Sequence, residues 1–238
     1  MRQFPSFKEL DTVGEAYAMK YMKKSYAFGS ECLDIDGFVH ALGYNVIYED
    51  FAEEDKNKDG FCANGKSSLK VWKDGRAMAI VYPKHTIVLD RYLLRPGEEA
   101  KRRFTLAHEI GHPLLDRMTG MDTASGFHIV FDKEAALTPD SLGQFSMAET
   151  CTSRLGAAIL MPRFLVIGLL KKYNNGQPIR CFDGCVFSSE ERAKVHMLAD
   201  RMKVSFPAFL NRLKELKLLE CHPIDEYIEE SFRNGASI

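Results

Sequence analysis

No segment of this 238-residue chain is long and apolar enough to span a bilayer, and the opening Met1-Arg2-Gln3-Phe4-Pro5 carries no apolar signal core. These absences predict a cytoplasmic protein with no membrane partner. An excess of one charge is missing too: 32 Lys and Arg stand against 33 Asp and Glu, a formal net charge of -1 that gives no global electrostatic case for nucleic acid or an anionic surface. Cysteine is too sparse and scattered for a disulfide-stapled fold. The six are Cys32, Cys62, Cys151, Cys181, Cys185 and Cys221, and in a chain of this size without an export signal they read as thiols. Cys181 and Cys185, with Cys221-His222 further on, have the spacing C-x-x-x-C rather than the commoner zinc spacing C-x-x-C, so the thiol reading is preferred there as well. At 45% hydrophobic content the chain can bury a real core, enough for one elaborated domain or a domain with an appendage.

What is present is the pentapeptide His108-Glu109-Ile110-Gly111-His112. Side chains four apart on a helix share one face about 6 Å apart along the axis, so both imidazoles can reach one metal ion. Glu109, one step off that line, is placed to take a proton from a water at the metal rather than to coordinate. A chance match somewhere in such a chain is on the order of one per cent. Context adds to it: the segment from Glu98 to Met118 reads as an amphipathic helix with Ala100, Phe104, Ala107, Leu114 and Leu115 as apolar positions and Pro96-Gly97 ahead of it. Pro113 follows the second His directly. It has no N–H to give the Glu109 carbonyl and crowds it, which predicts a helix that kinks or ends just after His112.

Catalytic zinc takes three protein ligands. The extended motif with a third His six residues on is excluded, because that position is Met118. Glu149, His128, Glu134 and Asp116 remain as candidates. Glu149 lies at the head of Met147 to Pro162, read as a second helix, where a first-turn carboxylate also suits the helix dipole without any metal. Asp116, four after His112, is better suited to accept a ligand imidazole N–H.

Upstream, helices are expected over Val13 to Tyr26 and Asp34 to Leu42, and strands over Tyr44 to Phe51, Leu69 to Lys73, Ala77 to Tyr82 and Thr86 to Leu89. The stretch Glu53 to Gly60 has the acidic spacing of a calcium loop but no Glu at its twelfth position, so it reads as a loop. A sheet before the motif helix has a use, since an extended peptide can add to an exposed strand edge. Candidates to stabilise a developing oxyanion are His85, Tyr82, Tyr92 and His128. Beyond Pro162, helices are expected over Arg163 to Tyr173, Ser188 to Lys203 and Phe206 to Leu219, the last two in a helix-turn-helix pattern. Direct DNA binding is not the favoured use of that pattern.

The run R-R-F-T-L-A-H-E-I-G-H together with E-T-C-T-S-R-L-G-A-A-I-L-M-P resembles the ImmA/IrrE family of metallopeptidases over roughly residues 10 to 165. The resemblance implies His108, His112 and Glu149 as ligands of one zinc ion and Glu109 as general base. Where the family usually has Ala-Asn, this chain has Thr152-Ser153, which leaves Ser153 and Asp116 as groups that could support the ligands from behind. The expected fold is α+β: a zincin-like metallopeptidase core over residues 1–165, with a small mixed or antiparallel sheet packed on the active-site helices, and a helical C-terminal extension over 166–238. By analogy the substrate would be a helix-turn-helix transcriptional repressor, cleaved to relieve repression. Two other readings are a non-catalytic regulator that binds a repressor or DNA around a structural metal, and a zinc hydrolase of small amides.

Overall fold

The computed structural model describes residues 4–25, 27, 29–52, 59–120 and 139–235. The chain is mixed helix and small sheet, an α+β arrangement, and divides into two compact units, Met1–Pro162 and Arg163–Ile238. Among the described residues no single helix is long and apolar enough to cross a membrane.

In the first unit, α1 (Phe7–Lys24) is opened by a capping box in which Ser6 and Glu9 satisfy each other's backbone N–H groups. Its buried positions Leu10, Gly14, Ala18 and Met22 recur every four residues and form one stripe. A short α2 (Ile35–Ala41), capped by Asp34, leads into β1 (Asn45–Glu49). Next come β2 (Gly60–Cys62), β3 (Ser68–Lys73), β4 (Arg76–Val81) and β5 (Thr86–Asp90). β5 is the centre of a mixed three-stranded sheet, parallel to β1 and antiparallel to β2, while β3 and β4 form a hairpin bridged to the first sheet's chain at Phe51 and Val71. The sequence reading lacks β2, because three consecutive buried residues offer no alternation to detect. Most of the loop expected over Glu53 to Gly60 lies outside the described residues, and its last residue begins this strand.

α3 (Glu99–Thr119) carries the pentapeptide. Its buried face is Arg103, Leu106, Ala107, Ile110, Gly111, Leu114 and Leu115, a three-four repeat that sets it against the sheet and a second long helix. Ala100 and Phe104, expected on that face, are only half-buried; the guanidinium of Arg103 is buried in their stead and donates to the Leu33 carbonyl at 2.8 Å. The helix does not end at Pro113. It continues to Thr119 and is closed by Gly120 in a left-handed conformation (φ 71°). A mid-helix proline costs about 3 kcal/mol, and burial of Leu114 and Leu115 directly after it is of comparable worth.

The second long helix, α4 (Pro139–Leu160), packs on both α1 and α3. The contacts are tight because small residues meet. A Cβ on Gly14 would come within 2.7 Å of the Ala158 Cβ, one on Gly156 within 2.8 Å of the Ala107 carbonyl oxygen, and one on Gly111 within 3.0 Å of the Thr152 side chain.

The second unit runs α5 (Arg163–Tyr173), β6 (Ile179–Phe182), α6 (Ser189–Met202), α7 (Phe206–Leu216), β7 (Leu219–His222) and α8 (Ile224–Gly235). β6 and β7 pair in parallel, so this unit is not purely helical. α6 ends at Lys203 in a left-handed conformation, and Ser205 caps α7, which makes the helix-turn-helix-like corner.

Candidate metal centre

Three elements build the site. α3 presents His108, Glu109 and His112 at the level of Gly111, and each offers a ligand atom, all within 4.8 Å of one another. α4 lies close enough at Gly111–Thr152 and Ala107–Gly156 to set Glu149 across from them. Glu149 Oε2 is 3.1 Å from His108 Nε2, and Oε1 is 3.7 Å from His112 Nε2. Glu149 does not sit in a first helical turn, since α4 begins ten residues earlier at Pro139. A favourable dipole at a helix start therefore does not explain this carboxylate.

The other ring nitrogens face hydroxyls of α4. His108 Nδ1 is 3.1 Å from Ser153 Oγ, and His112 Nδ1 is 3.5 Å from the buried Thr152 Oγ1. A hydroxyl that accepts from Nδ1–H leaves the Nε2 lone pair for a cation, the arrangement in which supporting groups set the tautomer of a ligating histidine. The residues fit a metal ion on a further count: Glu149 Oε1 is buried and without a hydrogen-bond donor. A buried carboxylate oxygen in that state is costly unless a cation meets it. Without a metal, a proton does part of that work. Burial pulls the His108 imidazole down, but its hydrogen bond to Glu149 and the charges of Glu109 and Glu149 outweigh this, and it holds its proton above the ordinary histidine range. Burial pushes Glu149 up, and the two imidazoles more than reverse it, leaving it below the ordinary carboxylate range.

Glu109 is tuned the other way. Burial raises its carboxyl to about 7, with Glu149 and Asp59 adding to the rise, while the His108 charge and a hydrogen bond from the Cys62 backbone N–H pull it down. The donor comes from β2. The main-chain groups of Phe61 and of the flanking residues 59 and 63 face β5, with Asp90 donating to Asp59 and Ala63 to Thr86, so those of Gly60 and Cys62 turn to the outer edge. Gly60 is required there because a Cβ would lie 2.7 Å from Glu109 Cγ and Oε1. Gly60, Cys62 and Thr152 are the site residues that sequence reasoning missed. Glycine beside a polar turn was the one available signal, and it read as a turn.

The remaining candidates are dispersed. Tyr92 donates to Asp59 and receives from Lys101, so its hydroxyl is committed, although Asp59 links it electrostatically to Glu109. Tyr82 is buried, and burial together with the neighbouring Glu49 carboxylate pushes its hydroxyl up to about 12. His85 sits in a left-handed turn (φ 63°) with its ring edge-on to Tyr44 at 5.0 Å. Asp116, half-buried one turn beyond His112, contributes to raising Tyr44. His128 and Glu134 lie outside the described residues.

No family model matches the chain. A curated protein does, and its class is metalloprotease, which supports a metal-dependent peptidase in general terms. The relative is the radiation response metalloprotease IrrE of Deinococcus radiodurans, 33% identical over 102 residues, or 43% of this chain. The match bears out the resemblance to the ImmA/IrrE family read from the two motifs. This chain's match spans about a quarter of that relative, 26% of its length.

Proposed function

We propose that the chain is a zinc-dependent endopeptidase with a zincin-like core over its first 165 residues. His108, His112 and Glu149 hold the ion, and Glu109 is the general base. The observation that carries the reading is the mid-helix carboxylate of Glu149, set within 3.1 and 3.7 Å of the Nε2 atoms of both motif histidines. Two nitrogens and one carboxylate oxygen suit zinc. A bound zinc ion supplies Lewis acidity toward a substrate carbonyl and acidifies water beside it. The chain's own residues divide the rest. Glu149, the more acidic carboxyl, stays charged as a ligand, while Glu109, poised at about 7, can take and return a proton near neutrality. Ser153 and Thr152 hold the two rings in place.

The outer edge of β2 is where an extended peptide would add as a further strand, because the main-chain groups of Gly60 and the Cys62 carbonyl turn there beside Glu109, which already takes the Cys62 N–H. The substrate we propose is a helix-turn-helix repressor, on the family resemblance, and the helical segment after residue 165 is then an extension that serves partner binding or packing. The test incubates the purified chain with the repressor encoded nearest its gene, with and without a chelator, beside Glu109→Gln. Cleavage that needs the metal, and that vanishes in Glu109→Gln with metal content unchanged, is the expected result. Absence of cleavage by the metal-loaded chain moves the reading to a regulator that binds without turnover.

A further inference from the structure

Three of the six cysteines gather in the second unit, and nothing in the peptidase reading uses them. β6 and β7 run parallel with Cys181 directly opposite Cys221, and the two Sγ atoms are 2.9 Å apart. That is inside ordinary van der Waals contact, about 3.5–4 Å even for carbon. The spacing of adjacent strands, about 4.8 Å, lies within the Cα separations a disulfide spans, about 4.4–6.8 Å. Cys181 is fully buried, whereas Cys221 is exposed, so one sulfur of the pair meets solvent and the other waits behind it. A tight turn with positive φ at Gly184 (73°) and Cys185 (60°), closed by the bridge between Phe182 and Val186, brings a third thiol back toward Cys181. Burial and the neighbouring thiols push Cys181 up to about 12.

We propose that Cys181 and Cys221 form a redox-sensitive thiol pair that a hydroperoxide converts to a disulfide. The exposed Cys221 sulfur attacks one peroxide oxygen; the O–O bond breaks, hydroxide or alkoxide leaves, and Cys221 becomes a sulfenic acid. The Cys181 sulfur then attacks Cys221, the S–O bond breaks, the S–S bond forms, and the Cys181 proton leaves with the hydroxyl as water. The two sulfurs give up two electrons in all, and the peroxide takes them. A high thiol pKa keeps Cys181 protonated until a sulfenic acid stands beside it, which makes Cys221 the first site of attack. The bond joins positions 40 residues apart, so α6 and α7 lie in the loop it closes. A shared zinc ion fits less well. Two thiolates on one tetrahedral zinc stand about 3.8 Å apart, and among the described residues the one grouping with metal-ligand spacing is on α3.

The test treats the reduced full chain with a small excess of hydrogen peroxide, blocks remaining thiols with N-ethylmaleimide and maps the non-reduced digest by mass spectrometry. The expected result is loss of two of the six thiols, a Cys181–Cys221 cross-linked peptide, and a Tm higher by about 5 °C that dithiothreitol reverses. Cys221→Ser, a change at an exposed position, abolishes both, while Cys185→Ser leaves the link in place. A Cys181–Cys185 link overturns the assignment. So does Cys221 oxidised beyond sulfenic acid with Cys181 still alkylated, or stoichiometric zinc retained by a His108→Ala, His112→Ala chain and lost on Cys221→Ser.

Discussion

Replacing Glu109 by Gln in the metal-free protein should stabilise it, and by an amount that depends on pH. The carboxyl is buried on α3 and ionises at about 7 rather than 4.5. A folded-state value above the unfolded one means that the folded chain binds the proton more tightly, so stability falls as pH rises from about 4.5 to about 7 and stays low above that. The cost at pH 8 is about 3 kcal/mol, and at pH 5 under about 1 kcal/mol. Gln keeps the shape and the acceptor for the Cys62 N–H but never ionises. For a unit of this size the gain corresponds to a Tm higher by roughly 6–10 °C at pH 8, shrinking toward zero at pH 5. Thermal melts of the chelator-treated pair across that range measure it. A Tm difference that is the same at pH 5 and pH 8 would refute the claim that burial, rather than lost packing, governs this carboxyl.

Further outcomes follow from the same geometry. Gly60→Ala places a Cβ against Glu109 and should lower peptidase turnover by about 100-fold while metal content stays unchanged, checked by kcat and metal analysis side by side. Gly156→Ala pushes against the Ala107 backbone and should cost about 1–3 kcal/mol in denaturant unfolding while weakening metal binding, because it separates the helix of Glu149 from that of the histidines. Metal uptake should release protons and weaken as pH falls through the raised His108 value, since that imidazole must lose its proton to bind; calorimetry in two buffers of different ionisation enthalpy reads the release. Ser153→Ala should reduce metal affinity by about 10-fold, measured by competition with a chromophoric chelator.

The motif helix was legible because its signal is local. Spacing alone puts two imidazoles and a carboxylate on one stretch of α3, and the expected bounds, Glu98 to Met118, differ by one residue at each end from the observed Glu99–Thr119. The hairpin strands and α5, α6 and α7 read nearly as well, since alternation and capping residues are also local, whereas α8 (Ile224–Gly235) was not expected. The helix end that Pro113 allowed for does not occur, because a proline's cost is local whereas the burial of Leu114 and Leu115 that offsets it is tertiary. β2, β6 and β7 were missed for the same reason: short strands are specified by their partners more than by their own pattern.

The sequence by itself determined a helix able to bind a metal, a chain without a membrane-spanning helix among its described residues, and a short set of residues, Glu149, His128, Glu134 and Asp116, from which a third ligand could come. Only the tertiary structure decided how Glu149 is placed. Gly111 and Gly156 let α3 and α4 approach until Glu149 meets both imidazoles, and Gly60 lets β2 close over Glu109. Identical Glu side chains are thereby pushed in opposite directions, one below the ordinary carboxylate range by two imidazoles and the other to about 7 by burial. Sequence names the groups that can ionise, but their ionisation depends on solvent and charge within a few ångströms, and only the packed chain sets that surrounding.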